Sequence, residues 1–98
     1  MIDLQVRTEL GEIVARGSKG VDWSQALGEV DQEKFPLLGS LLPYADTMFN
    51  SRQVERLRLE VSSNSVRDIV GAGVASEIER LCLQVKSGQH LYLWFVGD

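Results

Sequence analysis

One cysteine, one histidine and two prolines are all that the 98 residues hold of those types, and each scarcity closes off some chemistry. Cys82 has no partner for an internal disulfide. With His90 it supplies one sulfur and one nitrogen, too few for a zinc site. A nucleophile–histidine–acid arrangement would have to use His90, with Ser87 or Cys82 as nucleophile, and neither lies in a G-x-S-x-G elbow. No D-x-D-x-D-G loop marks a calcium site, and Gly71-Ala72-Gly73 lacks both the G-x-G-x-x-G spacing and a following G-K-[ST]. These absences lean against an enzyme and lead us to expect no metal and no cofactor. No run approaches the roughly 20 apolar residues of a membrane span. The start, Met1-Ile2-Asp3-Leu4-Gln5-Val6, puts an acid where a secretory signal carries bases. With a lone cysteine, the expected compartment is the cytoplasm.

The chain does have an ordinary globular composition, 44% hydrophobic and 24% charged, and a length that suits one domain over residues 1–98. Its net charge of −4 is uneven. Eight acids (Asp3, Glu9, Glu12, Asp22, Glu29, Asp31, Glu33, Asp46) face four bases (Arg7, Arg16, Lys19, Lys34) in residues 1–50, and the remainder balances. An acidic half repels a phosphate backbone, which argues against nucleic acid, and favours encounter with a basic protein. Solubility alone is the plainer account of the same charge.

Hydropathy patterning predicts an α+β fold. Ile2, Leu4 and Val6 alternate with polar residues, a turn follows at Glu9-Leu10-Gly11-Glu12, and Ile13-Val14-Ala15-Arg16 returns, which reads as a hairpin. Asp22 with Gln25 forms a capping pattern for a short helix bearing Trp23, Ala26, Leu27 and Val30. Pro36, Gly39 and Pro43 predict an extended segment over 36–41, of the kind tolerated at a sheet edge. Asn50 with Gln53 caps the next helix, with Phe49 and Val54 as its hydrophobic staple and Val54, Leu57 and Val61 as its apolar face. Ser65 with Asp68 repeats the capping pattern, and Gly71-Ala72-Gly73 interrupts the chain. Val74, Ile78, Leu81, Cys82 and Val85 mark an amphipathic helix ended by Gly88. The run His90-Leu91-Tyr92-Leu93-Trp94-Phe95-Val96 predicts a central strand covered on much of both faces. The simplest assembly docks this strand beside the hairpin, with two to four helices on one face.

Generic accounts suffice for most of the singled-out residues. Cys82 and Trp94 are expected in the core, Trp23 also packs there on balance, and His90 is expected at the surface. Arg52, Arg56 and Arg58 interleave with Glu55 and Glu60 as a salt-bridged helix face. The segment Pro43-Tyr44-Ala45-Asp46-Thr47-Met48-Phe49-Asn50 carries more side-chain information than a connector needs. Capping and core anchoring explain much of it, and a binding loop is the functional alternative.

Phe35-Pro36-Leu37-Leu38, Pro43-Tyr44-x-Asp46-Thr47-x-Phe49-Asn50-x-x-Gln53 and Tyr92-Leu93-Trp94-Phe95-x-Gly97-Asp98 together resemble patterns in small uncharacterised actinobacterial proteins. The resemblance covers the second half best and implies no catalytic residues. By analogy, small acidic proteins of this kind serve as immunity partners of toxins. The leading expectation is therefore a non-enzymatic module, an immunity or antitoxin-like inhibitor in its specific form. Its partner-binding candidates are Asp22, Glu29, Asp31, Glu33, Tyr44, Asp46 and Thr47. A self-associating subunit, a homodimer through the terminal or an edge strand, is the second expectation, and a small carboxylate hydrolase the third.

Overall fold

A computed structural model describes residues 2–17, 23–42 and 44–97. The elements in chain order are β1 (Asp3–Thr8), β2 (Ile13–Arg16), α1 (Trp23–Glu29), α2 (Pro36–Gly39), β3 (Thr47–Phe49), α3 (Ser51–Val61), α4 (Asn64–Val70), α5 (Ala72–Ser87) and β4 (Leu91–Val96). The fold is α+β: a four-stranded antiparallel sheet in the order β2-β1-β4-β3, with the helices packed against it. The C-terminal strand thus inserts beside the N-terminal hairpin, as expected, but the described helices number five where two to four were expected, because residues 36–39 are helical too. The capping role expected of Asp22, the side chain of Trp23 and the turn at Pro43 lie outside the described residues.

Register explains which side chains build the core. Leu4 lies opposite Phe95, and Val6 opposite Leu93. On the outer strands Ala15 aligns with Val6 and Phe49 with Leu93. Directly opposed residues share a face of the sheet, so Ala15, Val6, Leu93 and Phe49 form one row against the helices. Leu4, Val6, Leu93, Phe95 and Phe49 are all buried there, and the Phe49 and Phe95 rings meet edge to face at 5.7 Å. The helices supply Val54, Leu57, Val61, Val66, Ala75, Ile78, Leu81, Cys82 and Val85 to the same core.

The capping box at Asn50 forms in full. Its Oδ1 accepts from the Gln53 amide, and its own amide donates to Gln53 Oε1, both at 2.9 Å. Gly71 ends α4 and starts α5 at φ 91°, a conformation that a side chain resists. The interruption read from Gly71-Ala72-Gly73 is therefore a sharp break between two helices.

Several local expectations are corrected. Residues 36–39 form the short helix α2, not an extended strand, and proline sits in its first turn, where its missing N–H costs nothing. The edge strand falls later, at β3, inside the segment read as a capping loop. The cap of α4 is Ser63, ahead of the expected Ser65, and the two hydroxyls lie 3.0 Å apart. At the end of α5 Gly88 stays extended (φ −100°), and the positive φ falls on His90, at 56°.

Candidate binding surfaces

The residues suited to nucleophilic chemistry do not build a reactive centre among the described residues. Cys82 is fully buried on the inner face of α5, and desolvation pushes its thiol up to about 12, leaving it protonated at neutral pH. Ser87 spends its hydroxyl on the Gln84 carbonyl of its own helix, at 3.0 Å. His90 is 71% exposed, with Nδ1 3.5 Å from a carboxylate oxygen of Glu9, so it sits at the surface in the turn before β4. No group of three or more His, Cys, Asp or Glu residues able to hold a metal occurs among the described residues. No helix among them is long and apolar enough to cross a membrane.

The partner-binding candidates separate into two kinds. Glu29 and Glu33 are exposed, at the end of α1 and in the turn after it, and Tyr44 is 78% exposed. Asp31 is exposed too, but its Oδ1 accepts from the amides of Glu33 (3.0 Å) and Lys34 (3.4 Å), while its carbonyl accepts from Phe35 (2.9 Å). It therefore shapes the turn on which its neighbours stand. Asp46 accepts from the Gly97 amide at 3.1 Å and ties the loop before β3 to the end of β4. The backbones approach closely there, because a Cβ on Gly97 would stand 2.5 Å from the Ala45 carbonyl oxygen. Thr47 is half-buried in β3, opposite Phe95. Asp46 thus has a structural partner and Thr47 a place in the sheet, and no local pattern along the chain separates them from a recognition loop.

Glu60 is the functional-looking acid that pattern reading misplaced on a solvated face. It is 6% exposed, and its two carboxylate oxygens accept from the Leu37 (3.1 Å) and Leu38 (3.0 Å) amides at the start of α2. Those N–H groups have no partner inside a helix, and a carboxylate there also meets the positive end of the helix. One side chain of α3 therefore pins α2, and with it the chain that follows the acidic turn. The outer face of α3 carries one of the expected pairs, between Glu55 and Arg58. Glu55 meets Arg58 at 3.0 Å and also contacts Lys86 of α5, and the Lys86 hydrogen bond, followed by that of Arg58, holds its carboxyl below the usual range.

The face of the sheet away from the helices was not anticipated. One row runs across all four strands as Arg16, Gln5, Trp94 and Met48, and the next holds Ile13, Arg7 and Tyr92. Trp94 was expected in the core; instead it is half-buried on this open face. Period-2 geometry forces that position once Leu93 and Phe95 face inward. The Arg7 guanidinium lies 4.5 Å from its ring centroid and donates through Nε to Gln5 Oε1 at 2.8 Å. That assembly buries Gln5 to 7% exposure and leaves the Trp94 indole N–H buried without an acceptor. Where β1 turns into β2, a cavity of about 360 Å³ is lined by residues including Leu10, Met48, Tyr92 and Trp94. Leu10 is 92% exposed at the hairpin tip.

No family model matches the chain, and no curated protein or solved structure does.

Proposed function

We propose that the chain is a non-enzymatic protein-binding module that presents the acidic stretch at residues 29–33 to a basic partner. One observation carries the reading: exposed carboxylates stand on a turn held from both sides. Asp31 fixes the turn from within, and Glu60 fastens α2 immediately after it. A charged surface that is ordered before encounter loses less entropy on binding than a floppy one. Its like charges also attract a basic protein at long range. Tyr44, exposed on the segment that follows α2, adds an aromatic contact of the kind that anchors interfaces. The specific form of the reading is an immunity or antitoxin-like inhibitor acting in the cytoplasm.

The test is to isolate the partner from the native host and measure association of the purified pair across ionic strength. Glu29→Lys with Glu33→Lys should slow association roughly tenfold at low salt and flatten its salt dependence. Asp31 is left unchanged because its reversal would disturb the turn. An association rate indifferent to both salt and the double reversal would refute the acidic surface.

A further inference from the structure

The open face of the sheet concentrates apolar surface. Ile13, Val14 and Met48 are exposed in its outer strands, Leu10 projects from the tip, and Tyr92 and Trp94 occupy its middle. Apolar patches collected on one side of a domain mark interaction sites more often than scattered residues do. We propose that this face is an interface between two copies of the chain, packed sheet to sheet about a twofold axis parallel to the strands.

Both sheet edges are poorly suited to pairing, which turns attention to the face. β3 has only three residues. β2 is distorted by a bulge opposite Val6 and Arg7, and its Arg16 carbonyl already accepts from the Arg80 guanidinium at 3.4 Å. Short, bulged or covered edges are the usual protection against edge pairing.

The charges of the face select a second copy and one orientation of it. A twofold axis parallel to the strands lays β1 over β4 and β2 over β3 of the second copy. The level of Gln5, covered by its own Arg7 and Trp94, then lies over the level of Trp94 in the second copy, and Arg7 over its Tyr92. Glu9 comes to the level of the other His90, because residues 9 and 90 continue the β1–β4 register. Arg16 lies over Met48 of the second copy, within reach of its Asp46, and no like charges are opposed. The perpendicular twofold would instead set Asp3 against the other Glu9. Self-complementarity of this kind is what an isologous contact requires.

The size of the face fixes the strength. β1 and β4 span six residues, β2 four and β3 three, so at about 3.3 Å per residue and about 4.8 Å between strands the face covers roughly 300 Å² per copy. With the hairpin tip added, the pair buries roughly 800 Å², below the roughly 1,000 Å² that stable specific interfaces clear and in the range of transient contacts. The dimer is therefore weak and concentration dependent.

Sedimentation equilibrium of the full chain from about 10 µM to about 1 mM, a range that brackets a weak complex, should show a reversible monomer–dimer equilibrium. Met48→Lys faces Arg16 of the second copy and should weaken it at least about tenfold, since the contact occurs twice. Adding Arg16→Glu should restore dimerisation to within about threefold, because each new pair is then of opposite charge. Within one chain these positions are three strand spacings apart, about 14 Å, too far to pair directly. Circular dichroism confirms folding, and Val14→Lys replaces Met48→Lys if β3 is disturbed. A wild-type monomer throughout, a dimer insensitive to both lysine variants, or a failure of the charge swap to restore association would each overturn the proposal.

Discussion

The two faces of the sheet are built from the same strands, and in β4 both are apolar, yet they differ in what they do. In β4, Leu93 and Phe95 are fully buried under the helices, while Tyr92, Trp94 and Val96 on the other side stay half-buried. In β1, Leu4 and Val6 are buried among apolar neighbours, while Gln5 and Arg7 assemble a polar brace over Trp94. In β1 alternation marks the covered face, but in β4 hydrophobicity alone does not. What decides is which set of alternate residues the helices cover, and the uncovered set remains available for contacts outside the chain.

Four measurements test whether the covered and open sides differ in this way, and the first carries the greatest expected cost. Phe95→Ala should destabilise the fold by about 3–5 kcal/mol by leaving a cavity. Met48→Ala, on the open face, should cost less than about 1 kcal/mol. Chemical denaturation of both measures the difference, and equal costs would mean the faces are equivalent. Glu60→Ala should cost roughly 2–4 kcal/mol, since two buried amide donors lose their acceptor. It should also raise hydrogen exchange at Leu37 and Leu38 before the sheet is affected. Exchange unchanged at those two amides would show that α2 is held by packing alone.

The third outcome concerns the covered side. The Cys82 thiol is raised from 9.0 to about 12 in the folded chain. The unfolded chain therefore loses this proton first as pH rises. Stability from this group is complete below about pH 9 and declines toward pH 12, by at most about 1.4 kcal/mol per pH unit. Alkaline titration of stability should be shallower in Cys82→Ala than in the parent, and parallel curves would place the thiol nearer solvent. The smallest effect belongs to the outer helix surface. Glu55, depressed by Lys86 and Arg58, contributes stability above the ordinary carboxylate range that is lost as pH falls through its lowered pKa. Glu55→Gln should remove that acid dependence, and salt should weaken the contribution in the parent, because the pairs are exposed.

Much of the architecture was legible along the chain because its signals are local. Alternation at Ile2, Leu4 and Val6 foretold β1, the Asn50–Gln53 pair foretold the start of α3, and Gly71 foretold a break. The misreadings have a common cause. Pro36 disfavours a helix interior but suits a first turn, and what supports that turn is distant in sequence: the Glu60 carboxylate, 23 residues from Leu37, and the core in which Leu38 is buried. β3 is three residues long, too short for periodicity to register, and it exists because β4 offers a free edge. Of the candidate binding residues, Glu29, Glu33 and Tyr44 stand at the surface as a contact would require. Asp46 was indistinguishable from them until its bond to Gly97 was seen.

Local pattern along the chain was enough to set the class of fold, the longer helices, the hairpin and the poverty of reactive groups, because composition, capping and periodicity act over a few residues. Tertiary structure alone decided that Glu60 is buried, that Trp94 faces away from the helices, and that Arg16, Gln5, Trp94 and Met48 share a row. Those facts depend on which distant strands and helices meet. Strand register and helix docking are set by the whole core, and no short stretch of the chain encodes them.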